Sequence, residues 1–351
     1  MTADAGARPV RDEDAFDTAA VAAWLHGEVP ELTGVPEVRQ FAGGASNLTY
    51  LLRYPDRDLV LRRPPAGAKP ASGHDMAREH RIQSLLAPVY PYVPAMVALC
   101  TDHAVLGSDF YVMERVPGTI LRARPEEPLD RATMRELGTR VVDLLVELHR
   151  VEPAGDLASL GRGPGYVGRQ VAGWSRRYRA ARTRNVPSFA RVMAWLEANQ
   201  PGDVASRVVH GDFRLDNVVL DENLVPRAVL DWELATIGDP LMDLGSSLAY
   251  WVHADDDRLF RATRRQPTHL PGMLRREEVV AQYADRTGLP VDNWTFYEVF
   301  GLFRLAVIAQ QIYNRYHLGQ TRNPAFRHYW IMVRYLEHRC RRLIRQTAKG
   351  R

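Results

Sequence analysis

The N-terminal third of the chain carries short apolar runs separated by turn residues, which indicates a sheet more than a helical bundle. Helical periodicity interrupts this pattern near residues 15–26 and 74–87. A strand at 58–62 is stopped by Pro64 and Pro65, because proline cannot donate to a strand ladder. Further strands are predicted within 38–54, at 97–100 and at 110–113. The pattern therefore predicts a small lobe built on a sheet.

The remainder of the chain is dominated by apolar positions at helical spacing. A long helix is predicted at 131–150, where the leucines and valines fall on one stripe. A hairpin interrupts this helical region, with strands at 218–220 and 227–230 and turn residues between them. Because the two ends of a hairpin meet, we expect Asn217 and Asp231 to lie close together.

Composition narrows the class of protein. With 351 residues and 46% hydrophobic content, the chain can bury a large core and form two lobes. Two cysteines are too few for a disulfide framework, and we expect a reducing, cytoplasmic location. No secretory signal and no apolar window of about 18 residues is present, so we expect a soluble protein without a membrane partner. The net charge is +4, but the Arg-rich stretch 334–351 is interpreted as a solvated helix face, so no nucleic-acid binding is expected.

Candidate chemistry is concentrated in one motif, the segment from His210 to Asn217, followed by Asp231 nineteen positions after Asp212. Two carboxylates and a carboxamide at this spacing can divide the work of phosphoryl transfer. Asp212 would orient a hydroxyl and accept its proton, while Asn217 and Asp231 would hold Mg²⁺ against phosphates. Asp and Asn between strands are often only turn formers. The ordered set of four, with strands between its members, favours the functional interpretation.

The motif resembles the aminoglycoside phosphotransferase and choline kinase superfamily. The segments 210–217 and 229–240 are similar to the phosphotransferase module found fused to acyl-CoA dehydrogenases. The resemblance covers roughly residues 35–260 and implies an α+β, protein-kinase-like bilobal fold. It implies a nucleotide-binding lobe at 1–116, a helical lobe with the catalytic loop at 117–351, and ATP and Mg²⁺ as cofactors.

The resemblance assigns roles to the strand at 58–62. This strand is similar to the kinase strand that carries a phosphate-binding lysine, and strand alternation puts Val60 and Arg62 on one face. Val60 would contact adenine, and Arg62 would bind the α- and β-phosphates in place of lysine. Glu79 in the following helix resembles the glutamate that orients that cation. Lys69 and Lys349 are the only lysines, and Lys69 lies in a Pro/Gly-rich loop without fixed geometry.

Two further segments resemble nucleotide-binding elements. The loop 43–47 is similar to the loop that covers the triphosphate, although an ordinary hairpin turn is the alternative. The residues expected to contact phosphates are Gly43, Gly44, Ser46 and Asn47. The segment 110–116 resembles the hinge between lobes, where backbone groups bind the adenine edge. The residues expected there are Met113, Glu114 and Val116.

The neighbours of Asp212 receive roles from the same resemblance. Arg214 falls where protein kinases place a lysine that steadies the γ-phosphate, so its charge would offset the transferred oxygens. His210 is expected to brace the loop through hydrogen bonds. Asp239 and Asp243 resemble a family motif that is interpreted as structural, with caps and brackets for a helix beginning near Pro240.

The sequence says least about the molecule that accepts the phosphoryl group. A helix from about residue 165 is expected near the acceptor, and its residues with suitable chemistry are Tyr166, Arg169, Trp174 and Arg177. Because this helix is Arg-rich, it favours an anionic or neutral alcohol over a polycationic aminoglycoside. We therefore expect a small-molecule alcohol such as a hydroxyacyl-CoA, with an antibiotic kinase or a catalytically silent nucleotide-binding module as alternatives. The chain is expected to be a monomer or homodimer.

Two other classes of enzyme fit the sequence poorly. A dinucleotide-binding oxidoreductase needs Gly-x-Gly-x-x-Gly between a strand and a helix, whereas the glycines at 161–165 lack the third spacing and follow no clear strand. A zinc hydrolase needs closely spaced His or Cys ligands, and none of the eleven histidines forms such a set.

Overall fold

The structure, a computed structural model, describes residues 6–41, 47–65, 74–125, 127–321 and 323–349. The strands of this part are β1 (Ala7–Arg8), β2 (Glu37–Phe41), β3 (Leu48–Arg53), β4 (Asp58–Arg63), β5 (Met96–Cys100), β6 (Phe110–Glu114), β7 (Arg207–Val209), β8 (Val218–Leu220), β9 (Pro226–Val229) and β10 (Thr236–Gly238).

The helices of the same residues lie mainly after β6. They are α1 (Thr18–Glu28), α2 (Met76–Leu86), α3 (His103–Leu106), α4 (Arg131–Arg150), α5 (Gly155–Ala158), α6 (Tyr166–Ala181), α7 (Ala190–Ala198), α8 (Pro240–Leu248), α9 (Arg258–Arg261), α10 (Arg276–Thr287), α11 (Trp294–His317) and α12 (Tyr329–Lys349). The predicted helix at 131–150 is confirmed with both ends in place. No helix in the described ranges has the length and apolar character needed to cross a membrane.

The chain divides into two compact units. Unit 1 extends to Ile120 and resumes at Asn217–Ala235, whereas unit 2 comprises Leu121–Asp216 and the residues from Thr236 onward. The chain therefore crosses between units within the motif, at the peptide bond that joins Asp216 to Asn217. The β8–β9 hairpin that the sequence predicts is a part of unit 1.

Unit 1 is built on a six-stranded antiparallel sheet in the order β1-β2-β3-β4-β6-β5. Side chains alternate across it as strand geometry requires. One face, with Leu59 and Leu61 of β4, packs against Val21 and Leu25 of α1. On the other face, the cluster around Val60 contains Met76 of α2, Tyr111 and Met113. The side of β4 that carries Val60, and by alternation Arg62, is therefore the side covered by α2.

The β8–β9 hairpin is bound to the rest of unit 1 by its backbone. Val218 pairs with Val229, and Leu230 N–H donates to the carbonyl of Asn217 at 2.8 Å. Thr119 and Leu220 exchange two backbone hydrogen bonds of 2.8 and 2.9 Å. The expectation that a hairpin brings Asn217 and Asp231 together is thus met by the backbone.

Unit 2 is mainly helical, and two glycines let its site-bearing helices approach. A Cβ on Gly301 of α11 would lie 2.1 Å from the carbonyl oxygen of Gly245 of α8, and one on Gly245 would lie 2.5 Å from the Tyr297 oxygen. Such distances are impossible for any larger residue, so α8 and α11 pack backbone to backbone. This contact fixes Asp243 of α8 and Arg304 of α11, each within one turn of a glycine. β7, which pairs with β10, ends directly before the motif.

Candidate active site

The predicted catalytic loop, His210–Asp212, lies in unit 2 and begins where β7 ends. Asp243 accepts hydrogen bonds from the backbone N–H groups of His210 at 2.7 Å and Gly211 at 2.9 Å. Gly211 has a φ of 80°, which glycine adopts without steric cost. The N–H of Asp212 donates to His210 Nδ1 at 3.1 Å, so this nitrogen is an acceptor and carries no proton. One carboxylate and one imidazole therefore fix the backbone that presents Asp212.

Asp243 is itself held in its ionised form. It is buried, and His149 Nε2 lies 3.2 Å from its Oδ2. Because a carboxylate only accepts, Nε2 of His149 carries the proton, and Nδ1 can accept from the hydroxyl of Tyr283 at 2.6 Å. Burial opposes the charge, but hydrogen bonds from His149 and the loop outweigh it and hold the pKa of Asp243 below its ordinary value.

Asp239 confirms the structural interpretation of the segment before Pro240. It is the N-cap of α8 and accepts from the N–H groups of Leu241 at 2.9 Å and Met242 at 3.2 Å. It also accepts from Val204 N–H at 2.7 Å. Burial nevertheless raises the pKa of Asp239 to about 6. The two aspartates on α8 thus share a structural role but have opposite pKa shifts.

Asp212 lies beside the cation that the sequence assigned to the transferred phosphate. Arg214 Nη2 is 3.4 Å from Asp212 Oδ2, and its Nε is 3.4 Å from Asp216 Oδ1. The guanidinium stacks 4.7 Å above the Tyr250 ring. Burial raises the pKa of Asp216, and Arg214 offsets part of that effect. Arg214 is therefore oriented by two carboxylates and an aromatic face, next to the proposed base.

Arg304 is a residue of this site that the sequence did not identify. It is buried in α11, donates from Nη2 to the carbonyl of Gly211, and lies 5.1 Å from the Trp174 ring centroid. The available signal was an arginine inside a long apolar run, since arginine is seldom buried without a specific partner.

In unit 1, Asp231 follows β9 in a left-handed conformation, with φ 72° and ψ 59°. That backbone costs a non-glycine residue about 1–2 kcal/mol. Its Oδ1 accepts from Arg62 Nη2 at 2.6 Å, and the same nitrogen lies 3.3 Å from Glu233 Oε2. Arg62 Nε is also 3.5 Å from Glu79 Oε1. The cation that the sequence placed on β4 is therefore surrounded by three carboxylates.

The charges of this cluster are coupled through burial. Burial disfavours the guanidinium, but Glu79 and Asp231 more than compensate and hold the pKa of Arg62 above its ordinary value. Burial raises the pKa of Glu79, and the charge of Arg62 only partly offsets this. The hydroxyl of Tyr111 donates to Glu79 Oε1 at 3.0 Å, and Gln83 Nε2 donates to Tyr111 at 3.3 Å. Glu79 is thus oriented toward Arg62 by a buried polar chain.

Glu233 is the second residue that sequence reasoning left without a role. Besides Arg62, its carboxylate accepts from Asn47 Nδ2 at 3.0 Å. Arg78 of α2 donates to the backbone carbonyl of Glu233 at 3.2 Å and to that of Ala235 at 2.5 Å. Glu233 therefore ties the segment after β9 to β4 and α2. In the sequence, only its position two residues after Asp231 indicated that Glu233 could belong to the site.

Of the four residues predicted to form the phosphate loop, the structure describes Asn47. Gly43, Gly44 and Ser46 lie outside the described residues. Asn47 is buried, and besides its contact with Glu233 its Oδ1 is 2.9 Å from His74 Nδ1. Its side chain therefore bridges two segments of unit 1.

The predicted hinge residues lie at the end of β6 and just after it. Met113 is buried opposite Val60 in the β4–β6 pair. Glu114 binds Arg57 through its carboxylate, and its N–H donates to Ala95 O at 2.8 Å. For Val116, the structure gives no backbone acceptor for its N–H within the described ranges. This geometry keeps one backbone donor available at the position where the resemblance implies adenine recognition.

The four candidate acceptor residues differ in their surroundings. The Tyr166 ring packs on Gly238, where a Cβ would lie 2.5 Å away, and burial raises the pKa of Tyr166. Arg169 donates to the carbonyls of Gly163, at 2.6 Å, and Pro164. That guanidinium is used to close the loop before α6. The structure brings Trp174 and Arg177 together, with the guanidinium 4.6 Å from the ring centroid.

The residues expected to hold a divalent metal are chemically suited to Mg²⁺. Asp231 offers a carboxylate and Asn217 an amide oxygen, and these hard oxygen donors lie at the open end of the β8–β9 hairpin. Within the described ranges, no group of three or more His, Cys, Asp or Glu side chains forms a metal cage. Mg²⁺ typically takes one or two carboxylates and completes its shell with phosphates and water. The donor set therefore fits a nucleotide-bound ion.

Comparison with known proteins places these observations in a family. The mouse (Mus musculus) protein acyl-CoA dehydrogenase family member 10 is 38% identical over 319 residues, which are 90% of this chain but 30% of that protein. A Ralstonia eutropha structure described as an aminoglycoside phosphotransferase has a TM-score of 0.75 and 29% identity, covering 93% of this chain and 99% of its own. Choline kinase from Cryptosporidium parvum has a TM-score of 0.63 at 12% identity, covering 94% and 97%.

These similarities confirm the expected kinase-like fold, with a small antiparallel lobe and a helical lobe. They also confirm the resemblance to the module that accompanies acyl-CoA dehydrogenases. The phosphotransferase enzyme family matches residues 37–279, which is more than half of the chain. This chain is therefore a member of the phosphotransferase enzyme family and a small-molecule kinase.

Proposed function

We propose that the chain transfers the γ-phosphate of ATP, with Mg²⁺, to a hydroxyl group of a hydroxyacyl-CoA-type acceptor. The observation that best supports ATP- and Mg²⁺-dependent chemistry is the ion pair of 2.6 Å between Arg62 on β4 and Asp231 after β9. These residues are 169 positions apart, and packing alone has no reason to bring a largely buried cation to a strained aspartate. A site that binds both a triphosphate and its metal needs a cation for the phosphates and a carboxylate for the metal close to each other.

The proposed roles follow from the local geometry. Asp212 accepts the proton of the acceptor hydroxyl, and Arg214 offsets charge on the transferred oxygens. Arg62 binds the nucleotide phosphates, for which a guanidinium offers paired donors. Asn217 and Asp231 hold the metal, which when bound neutralises phosphate charge. Within this proposal the nucleotide-binding lobe is residues 1–116 and the remainder, 117–351, carries the catalytic loop and the acceptor site.

The remaining nucleotide contacts are proposed from the resemblance together with the geometry above. Glu79 orients Arg62 through their 3.5 Å ion pair. The adenine would be bound by Val60 and Met113, with the backbone of Glu114 and Val116 at its edge. The phosphate loop would comprise Gly43, Gly44, Ser46 and Asn47.

The choice of acceptor rests on two features. First, the chain is 38% identical to part of a protein named as an acyl-CoA dehydrogenase family member, of which it spans 30%. Second, the helix that carries Arg177 is rich in arginine, and the Arg177 guanidinium lies over the buried ring of Trp174. A polycationic aminoglycoside is disfavoured by such a surface. An acyl-CoA has phosphates that can bind the arginines and an apolar chain that can pack beside them.

A coupled ADP-release screen tests this function. Hydroxylated acyl-CoAs, aminoglycosides, macrolides, sugars and choline are compared at equal concentration, with and without Mg²⁺. Asp212→Asn serves as the control for ADP release that does not depend on the proposed base. We expect Mg²⁺-dependent ADP release with a hydroxyacyl-CoA and none with the other classes. Turnover of an aminoglycoside or a macrolide in its place would show that the acceptor is wrong.

A further inference from the structure

Unit 2 contains two guanidinium groups that share one indole. Arg177 lies 4.6 Å and Arg304 lies 5.1 Å from the centroid of the Trp174 ring. Trp174 is buried, and its Nε1–H is used by Gln170 at 3.0 Å. Both guanidiniums lie over the ring, and each gains from the ring quadrupole. Two like charges beside one ring nevertheless repel each other.

This pair has no acidic counterpart within the described ranges, because neither Arg177 nor Arg304 has a carboxylate oxygen within 4.0 Å. Other arginines of unit 2 are neutralised. Arg276 and Arg339, for example, share the carboxylate of Asp256 at 2.8 and 3.1 Å. Burial and then the charges of Arg304 and Arg176 lower the pKa of Arg177, which is the response of a cation in an unbalanced positive field.

The cluster of Trp174, Arg177 and Arg304 is joined directly to the catalytic loop. Arg304 donates to the carbonyl of Gly211, the residue before Asp212. One hydrogen bond therefore links this cluster to the residue that precedes the proposed base. The nearby cations also include Arg214, which stacks on Tyr250. Arg214, Arg304 and Asp212 all act electrostatically on Tyr250, so these cations lie in the same part of unit 2 as the proposed base.

We propose that Trp174, Arg177 and Arg304 form a binding site for an anionic group, a phosphate or a carboxylate, carried by the alcohol that this enzyme phosphorylates. The inference rests on the proposed function for the position of the alcohol, and it adds the charge class of the acceptor. An anion would offset the positive field that Arg304 and Arg176 impose on Arg177, and a guanidinium can donate paired hydrogen bonds to it. Arg177, which is exposed, would receive the ligand, and Arg304 would connect it to the loop.

The first test measures anion binding without catalysis. Inorganic phosphate and pyrophosphate are titrated against wild type, Arg177→Gln and Arg179→Gln while the unfolding temperature is recorded. Arg179 is an exposed arginine of the same helix, so its variant removes the same charge away from Trp174. We expect the anions to raise the unfolding temperature of wild type and Arg179→Gln, and most of that rise to be lost in Arg177→Gln. An equal rise in both variants, or none in wild type, would overturn the proposal.

The second test separates the sources of the anion. Steady-state rates are compared for a hydroxyacyl-CoA, the same hydroxyacyl group on pantetheine, which lacks phosphate, and the free hydroxy acid. If CoA phosphates occupy the site, Arg177→Gln raises the KM of the CoA substrate about tenfold and leaves that of the pantetheine substrate unchanged. If a carboxylate occupies it, the free acid shows the tenfold rise. A rise confined to the KM of ATP would mean that the cluster serves the nucleotide, which contradicts the proposal.

The two proposals fail in different ways. If no alcohol is phosphorylated while phosphate still stabilises the protein through Arg177, the proposed function is wrong and the anion site remains. If a hydroxyacyl-CoA is turned over equally well by wild type, Arg177→Gln and Arg179→Gln, the function remains and the anion site is wrong.

Discussion

The networks around Arg62 and Asp243 have opposite charge arrangements. In unit 1, one cation lies among three carboxylates, Glu79, Asp231 and Glu233. In unit 2, one carboxylate, Asp243, is surrounded by backbone N–H groups and His149. The side chain of Asp231 is 31% exposed, whereas that of Asp243 is 1% exposed. The first network can exchange partners with a ligand, and the second cannot.

This difference separates ligand binding from preorganisation. Arg62 contacts carboxylates that another cation can replace, so a metal that binds Asp231 must compete with a guanidinium already present. Asp243 contacts backbone N–H groups, so losing its hydrogen bonds would change the conformation of the loop itself. We therefore expect changes in the Arg62 network to alter nucleotide affinity, and changes in the Asp243 network to alter stability.

The largest effect is expected for the residue that the Asp243 network presents. Asp212→Asn keeps the size of the side chain but removes the base, so kcat should fall by about 10²–10⁴-fold. Nucleotide affinity should stay close to that of wild type, because the network around Arg62 is intact. Both are measured by ADP release and by equilibrium titration with ATP and Mg²⁺. Wild-type turnover in this variant would remove Asp212 from the mechanism.

Breaking the buried anchor should cost the most stability. In Asp243→Asn, the amide cannot provide the charge that His149 and two backbone N–H groups share, so we expect a loss of about 2–4 kcal/mol in the free energy of unfolding. Urea unfolding measures this loss. Glu222→Gln, at an exposed turn of the hairpin, is a control that should unfold like wild type. A loss no larger than that of the control would mean that the loop does not depend on Asp243.

The two aspartates of α8 should also differ in pH dependence. The pKa of Asp243 is lower in the folded state than its ordinary 3.8, so its stabilisation is present above pH 3.8 and is lost as the pH falls below it. The pKa of Asp239 is raised to about 6, so the folded state binds its proton more tightly and this contribution declines as the pH rises from 4 to 6. The difference in unfolding free energy between wild type and each Asn variant, plotted against pH, should show these opposite slopes. Equal slopes would contradict the assigned environments.

Much of this arrangement follows from local sequence patterns. The helix at 131–150 and the β8–β9 hairpin depend on periodicity and turn residues, which are local properties. The pair of Arg62 and Glu79 was accessible through the resemblance, and the structure places the two 3.5 Å apart. The roles proposed for the site residues remain predictions.

Other contacts were not accessible, because they join residues distant in the chain. Asn47 and Glu233 are 186 positions apart, and Arg304 reaches Gly211 over 93 positions. Nothing in the local pattern specifies such partners. Arg304 was missed for a further reason: helical periodicity identifies a buried face but not which polar residue on it has a ligand or a backbone partner. The close contact between Gly245 of α8 and Gly301 of α11 is likewise a tertiary property. It lets α11 approach α8, whose Asp243 binds the loop 210–212.

A smaller effect is expected for the cation of unit 1. Arg62→Ala should weaken ATP binding by about tenfold, because a charge-assisted phosphate contact is lost. Lys69→Ala, in the segment outside the described residues, should weaken it much less. Isothermal titration with ATP and Mg²⁺ gives both values. If Lys69→Ala proves the more damaging, the phosphate-binding cation has been misassigned.

The smallest effect is expected at Glu233, which contacts Arg62 at 3.3 Å and Asn47 at 3.0 Å. Glu233→Gln retains an acceptor for Asn47 but removes one of three charges near Arg62, so we expect a loss of about 1 kcal/mol in stability. With one carboxylate fewer, Arg62 should pair more closely with Asp231, which would raise the Mg²⁺ concentration needed for half-maximal nucleotide binding by about threefold. Asp221→Asn, at the hairpin turn, is the matched control for loss of an acidic charge. A Mg²⁺ requirement unchanged in Glu233→Gln would show that the carboxylates of this network do not share one cation.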